Sequence, residues 1–207
     1  MQYNQEEVAE IFEIVFNLSA KEIYEKIEKV RNRKEIAQKR WFWELLQNAK
    51  DAVKPYEKVS VRLTLGQDTE GMFVLFEHNG NPFRYKDARN LVFPYSEKSD
   101  EEDSDKSGKF GTGFLATHVL SDVIKVKGVL TKDDTFYDFE FKLNRSGQNK
   151  PEISSSINKS WQEFKQRQVQ KNNFIYTQSN FDTSFKYYLS PETKEIAVES
   201  LEEIYAT

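Results

Sequence analysis

The chain of 207 residues contains no cysteine. That excludes disulfides, thiolate nucleophiles and cysteine-ligated zinc or iron–sulfur centres. Histidine is almost as scarce: His78 and His118 are the only two, too few for a histidine-rich metal site. No run of 18 apolar residues occurs, so no membrane-spanning helix is expected. The opening MQYNQEEVAEIFEIVF is acidic and amphipathic rather than a basic leader followed by an apolar segment. Nor is there an excess of basic charge. Thirty Lys and Arg face 34 Asp and Glu, for a formal net charge of −4, which offers no general field for nucleic acid. These absences leave a cytoplasmic protein as the expectation.

What is present is aromatic volume. Sixteen Phe, ten Tyr and three Trp are enough for a sizeable core. Apolar residues at Val8, Ile11, Phe12, Val15 and Phe16 form a helical stripe. Ser19, with Glu22 three residues on, matches a capping box and predicts a second helix carrying Ile23, Tyr24, Ile27 and Val30. Together these make an N-terminal helical extension over 1–33. A third helix is predicted over about 34–53, stopped by Lys54-Pro55. The pattern then alternates. Val59 to Leu65 and Met72 to Asn79 read as a hairpin, and Asn79-Gly80-Asn81-Pro82 as a turn. A short helix is predicted over 86–92 and a polar loop over 95–109, followed by a glycine-rich entry into a helix at GKFGTGFLATHVL.

Val123 to Leu130 and Phe136 to Leu143 predict two further strands. Residues 147–160 read as a polar connection and WQEFKQRQ as a short helix. Asn173 to Thr177 and Thr183 to Leu189 read as strands, and Pro191 starts a final amphipathic helix. The expected fold is α+β, a two-layer sandwich of helices on a mostly antiparallel mixed sheet, forming one domain over 1–207. The last helix runs to Thr207 without a C-cap signal, which predicts that further domains of the same polypeptide follow.

Two stretches carry chemistry. In ELLQNAKDA, Glu44, Asn48 and Asp51 sit at i, i+4 and i+7, within roughly 60° of one another on one helix face. Leu45, Ala49 and Ala52 fall on a neighbouring, buried stripe. An amide oxygen suits Mg²⁺ without adding charge. A carboxylate one turn earlier suits a general base for water. A solvated helix face is the competing reading. In GKFGTGF, Gly108, Gly111 and Gly113 precede a helix-compatible stretch. Such glycines let backbone N–H groups approach an anion at a helix N-terminus. This is not the GxxxxGK[ST] phosphate loop, because Lys109 follows the first glycine.

In order, the chain has ELLQNAKDA, EHNGNPF after a strand, SEKS in a polar loop, GKFGTGF, and DTSF in a late strand. This succession resembles the GHKL superfamily of Bergerat-fold ATPases, nearest its heat-shock-chaperone-like and sacsin-like bacterial members, over about residues 35–190. The resemblance implies ATP and Mg²⁺ as ligands and a nucleotide-driven conformational switch, with a lid over about 94–113. It implies Glu44 as the general base, Asn48 as the Mg²⁺ ligand and Asp51 beside the nucleotide. It places His78 and Gly80 at the adenine, with Thr183 supporting its recognition. It puts Ser96, Lys98 and Ser99 in the lid hinge. Gly108, Lys109, Phe110, Gly111, Thr112, Gly113 and Phe114 fall at the phosphate-gripping end.

One departure matters. The family's adenine-binding Asp is His78 here, and an imidazole accepts a hydrogen bond only through an unprotonated nitrogen. Asp51 is the nearest family-matched carboxylate left to share that task. A second departure is the acidic run with carboxylates at Glu97, Asp100, Glu101, Glu102, Asp103 and Asp105, read as a solvated lid insertion. Trp41, Phe42 and Trp43 are expected to pack in the core or between helices rather than to form a base-stacking platform. His118 is expected to be structural, and Lys125 and Lys127 to lie on the wet face of a strand. The implied partners are ATP and ADP, neighbouring domains and a nucleotide-dependent second copy, with no membrane and no nucleic acid. A non-catalytic nucleotide-sensing or interaction module, favoured by His78, and phosphotransfer to a histidine are the alternatives.

Overall fold

The computed structural model describes residues 5–94, 111–172 and 174–205. In chain order it contains α1 (Gln5–Asn32), α2 (Lys34–Gln38), α3 (Trp41–Asp51), β1 (Val61–Asp68), β2 (Gly71–His78), β3 (Phe83–Arg84) and α4 (Tyr85–Val92). A 3-10 helix over Thr112–Val119 follows, then β4 (Val123–Lys132), β5 (Thr135–Asn144), α5 (Lys150–Gln166), β6 (Gln168–Gln170), β7 (Thr183–Tyr188) and α6 (Pro191–Tyr205). The sheet order is β1-β2-β7-β4-β5-β6, antiparallel throughout, with β3 parallel to β4. This is the α+β sandwich that the alternation of patterns predicts.

Register explains which face is covered. Phe76, Phe185, Val126 and Phe141 are cross-strand neighbours, as are Val74, Tyr187, Ile124 and Leu143, and all eight are buried. The opposite face carries charge. Lys186 pairs with Asp68 at 2.5 Å, Arg62 with Glu77 at 2.6 Å, and Lys125 with Glu70. Lys127 is exposed on that same face, so both strand lysines lie on the wet side as expected. The β4–β5 turn is two residues long, with positive φ at Asp133 (48°) and Asp134 (57°), as a type I′ turn requires. Among the described residues no helix is long and apolar enough to cross a membrane.

Several expectations are corrected. The first two predicted helices are one, α1. Neither Gly nor Pro stands between Phe16 and Ala20, and Ser19 is buried within the helix instead of capping a new one. The third predicted helix is instead two, because the Arg40 N–H bonds the Ala37 carbonyl at 3.0 Å and tightens the chain at Lys39-Arg40. No breaker residue marks that point.

Residues 147–160 are not a polar connection. Asn149 caps α5 by accepting from the Glu152 N–H at 3.0 Å. Ile153, Ile157, Trp161 and Phe164 form its buried stripe, which Ser154, Ser155 and Ser156 disguised. Phe174 to Thr177 form no strand. Phe174 packs on Phe136 at 5.0 Å between ring centroids, and the Tyr176 hydroxyl donates to the Asn79 carbonyl at 2.9 Å. The chain there closes the end of β2 rather than extending the sheet. The helix after the glycines is wound as 3-10, not α. Trp41 is buried and Phe42 partly so, but Trp43 is 54% exposed.

Gly128 on β4 marks the tightest point of the covered face. A Cβ there would lie 2.7 Å from Phe139 Cζ and 2.9 Å from Phe83 Cε2, both on buried rings. Gly128→Val is expected to destabilise the fold by about 1–3 kcal/mol through overpacking, read as a lower midpoint in urea unfolding. Gly71→Ala, whose Cβ meets nothing within 4 Å, is expected to cost only the backbone strain of its φ of +134°.

Candidate functional site

Helix α3 lays Trp41, Leu45, Ala49 and, just past its end, Ala52 against the core. That stripe fixes its rotation and so the placement of the polar face. Glu44 and Asp51 emerge half-buried, and Asn48, between the two faces, is 6% exposed. The Asn48 amide nitrogen donates to the Glu44 carbonyl at 2.6 Å, and Oδ1 is the acceptor atom of the same amide. Asp51 accepts from Gln47 at 2.8 Å.

The Glu44 carboxylate is engaged on both sides. Arg40 Nη2 lies 2.5 Å from Oε1. Gly113 lies against the other oxygen, and a Cβ on it would stand 2.2 Å from Oε2. A side chain at position 113 would therefore displace the Glu44 carboxylate from where it lies. The 3-10 helix begins at Thr112 after Gly111, whose carbonyl accepts from the Phe114 N–H at 3.1 Å. Phe114 is buried against Phe185 at 5.5 Å between centroids.

Phe185 in turn stacks on His78 at 6.5 Å. His78 is 2% exposed at the end of β2, and its register partner on β7 is the equally buried Thr183. The Gly80 N–H donates to His78 Nδ1 at 3.1 Å. Because a backbone N–H can only donate, Nδ1 is the unprotonated nitrogen. The ring is neutral and Nε2 carries its proton. Nε2 is buried, and as a donor it differs from a carboxylate, which could only accept.

The structure brings together Glu44, Asn48 and Asp51 on α3, Gly111, Gly113 and Phe114 at the 3-10 helix, and His78, Gly80 and Thr183 at the sheet end. Ser96, Lys98, Ser99, Gly108, Lys109 and Phe110 lie outside the described residues, as do the acidic run and most of the expected lid. Among the described residues no cluster of three or more His, Cys, Asp or Glu could hold a metal. Mg²⁺ that keeps its waters and takes one amide oxygen fits Asn48. A cavity of about 320 Å³ opens elsewhere, between the ends of α1 and β7, with His118, Arg31 and Ser190 in its wall.

Three site residues escape a reading by motif. Arg40 is visible only as the cation one turn before Glu44. Asn79 looks like a turn residue, yet its Oδ1 accepts from the Ser60 N–H at 2.7 Å and its amide donates to the Gln178 carbonyl. Ala52 meets Gly80 so closely that a Cβ on Gly80 would lie 2.6 Å from the Ala52 Cβ. The Asn81 N–H also donates to the Ala52 carbonyl at 2.9 Å, tying α3 to the turn.

His118 is structural, as expected. It is 5% exposed and Nδ1 lies 3.1 Å from the Ser121 carbonyl. Burial, with Arg145 beside it, pushes its imidazole down to about 3. No protein-family model matches the chain, and a search of curated proteins finds no relative.

Two outcomes follow from this geometry. Gly80→Ala is expected to cost about 1–3 kcal/mol, measured by chemical unfolding, and Ala52→Gly in the same chain to restore only part of it, because the new Cβ also lies 2.9 Å from His78 Nδ1. A histidine at about 3 in the folded chain and about 6.5 unfolded gives stability that is full above pH 6.5 and falls as pH drops toward 3. The expected slope is about 1.4 kcal/mol per pH unit between pH 6 and 4. His118→Gln is expected to flatten the pH dependence by that amount.

Proposed function

We propose that the chain is an Mg²⁺-dependent ATP-binding and ATP-hydrolysing domain of the GHKL type, acting as a nucleotide-driven switch. One observation supports this most. Segments separated by up to about 140 residues of sequence meet around α3, with the backbone of Gly113 laid on the carboxylate of Glu44. A solvated helix face gives no reason for a glycine to press on that carboxylate.

In this reading Glu44 accepts the proton of a water that attacks the terminal phosphorus. The bond to the ADP oxygen breaks, and the backbone at Gly111–Gly113 lies against the phosphates. Asn48 Oδ1 would hold Mg²⁺, which when bound neutralises phosphate charge. His78 and Thr183, the last cross-strand pair at the sheet end, would line the base. Asp51 remains a carboxylate on the same helix face. A cysteine-free chain fits the cytoplasm, and further domains or a second copy would receive the conformational change.

The donor polarity of His78 favours a second reading, a nucleotide sensor without turnover. Phosphate release and Mg²⁺-ATP binding separate the two. Glu44→Ala is expected to lower turnover at least about 100-fold while retaining binding, and Asn48→Ala to weaken Mg²⁺-ATP binding. Tight binding with no turnover in the wild type would select the sensor. Equal turnover with and without Glu44 would remove it as the base.

A further inference from the structure

Arg40 occupies a position that helix electrostatics disfavour. It is the N-cap of α3 and makes no side-chain cap bond, so a guanidinium stands at the positive end of the helix dipole. Ser, Thr, Asp or Asn would cap there. The order of the pair with Glu44 is also the poorer one, because i,i+4 pairs stabilise a helix better with the acid first. Helix stability therefore does not explain Arg40, yet its Nη2 lies 2.5 Å from Glu44 Oε1.

The two groups on the carboxylate differ in how readily they leave. The Arg40 side chain is 57% exposed and that of Glu44 21%. The guanidinium can therefore swing away through solvent while the carboxylate stays. Gly113 covers Oε2 as part of a backbone segment and moves only with that segment.

We propose that Arg40 is the positioning residue for Glu44, holding its carboxylate at rest and releasing it when a bound polyphosphate competes for the guanidinium. The inference rests on Glu44 as the base of the reading above. A guanidinium binds phosphate oxygens through two parallel hydrogen bonds. The N-terminus of α3, beside Arg40, adds its own attraction for anions. The exchange makes and breaks no covalent bond. It uncovers Oε1 only when substrate has arrived, so the base stays neutralised in the absence of anything to hydrolyse.

The test is calorimetric titration with two probes, the Mg²⁺ complex of β,γ-imido-ATP and that of inorganic tripolyphosphate. The proteins are the wild type, Arg40→Ala, Arg40→Lys, Glu44→Gln and the double variant Arg40→Ala/Glu44→Gln. Arg40→Ala is expected to weaken both probes about fivefold or more, and Arg40→Lys to recover part of the loss. Glu44→Gln is expected to tighten binding by a larger factor in the wild-type background than in Arg40→Ala, because only there does it also spare the cost of breaking the pair.

An equal or smaller factor in the wild-type background means that Arg40 stays on Glu44, and overturns the exchange. So does an Arg40→Ala protein that binds both probes as the wild type does. Binding of tripolyphosphate that depends on Arg40, without binding of imido-ATP, keeps the exchange and ends the nucleotide reading. Binding of neither probe overturns both.

Discussion

Two rows of side chains cross four strands with almost no exposure: Phe76–Phe185–Val126–Phe141 and Val74–Tyr187–Ile124–Leu143. Burying them on one face only is what the rest of the structure answers to. The other face carries ion-paired Lys, Arg, Asp and Glu, so every helix must seat its apolar stripe on the same side. One apolar cluster accordingly joins Ile23 and Ile27 of α1, Trp41 and Leu45 of α3, Ile153 and Ile157 of α5, and Ile196 of α6. The rotation of α3 is set by that demand. The burial of apolar neighbours decides which way Glu44, Asn48 and Asp51 face, and their own contacts with Arg40, the Glu44 carbonyl and Gln47 then orient the side chains.

The polar chemistry lies where the covered face ends. One step beyond the two apolar rows, the cross-strand pair is His78 and Thr183, still buried but able to hydrogen-bond. Opposite it the approach of α3 is as close as backbone allows, because Ala52 and Gly80 face each other. A larger side chain at either position would press the end of α3 away from the turn at Gly80. Small residues therefore do on this side what Gly113 does over Glu44, bringing backbone against a functional group. The tautomer of His78 follows from the same turn, since the Gly80 N–H that fixes it points there only while the turn stays tight.

Much of this was legible in the residues. The alternation in Val61–Asp68 and Gly71–His78, the i, i+4, i+7 polar face and the glycines before a helix each carry a period or a spacing that physics ties to one geometry. What was not legible depended on tertiary context. The joining of two predicted helices into α1 needed the knowledge that Ser19 is buried. A capping box and a small core residue look alike in sequence. Helix α5 was hidden because three serines outweighed a four-residue apolar stripe in the local pattern, although Asn149, Pro151 and Glu152 mark its start. Tyr176 and Phe174 alternate like a strand, yet their rings find partners outside the sheet. The engagement of Arg40 and Gly113 with Glu44 joins residues four and 69 positions away, and only the first distance is one that helical periodicity reports.

Electrostatics at the far end of the 3-10 helix hold that end in place. Arg145 is fully buried, with one nitrogen donating to the carbonyls of Leu91 and Val92, the last of α4. Burial draws its guanidinium down to about 9, so it remains cationic at neutral pH. His118 beside it is held neutral, first by its own burial and then by the neighbouring Arg145 charge. Neutral His118 is fixed through Nδ1 to Ser121, and the Arg145 N–H binds the Asp122 carbonyl at 2.8 Å. The rear of the 3-10 segment is thus anchored to β5 and, through Arg145, to α4. Its front carries Gly111 and Gly113, and a 3-10 run of eight residues is longer than that geometry usually sustains. The rear is held by buried charge and backbone bonds, whereas the front meets Glu44 through Gly113, so the two ends of one short helix are fixed by different kinds of contact.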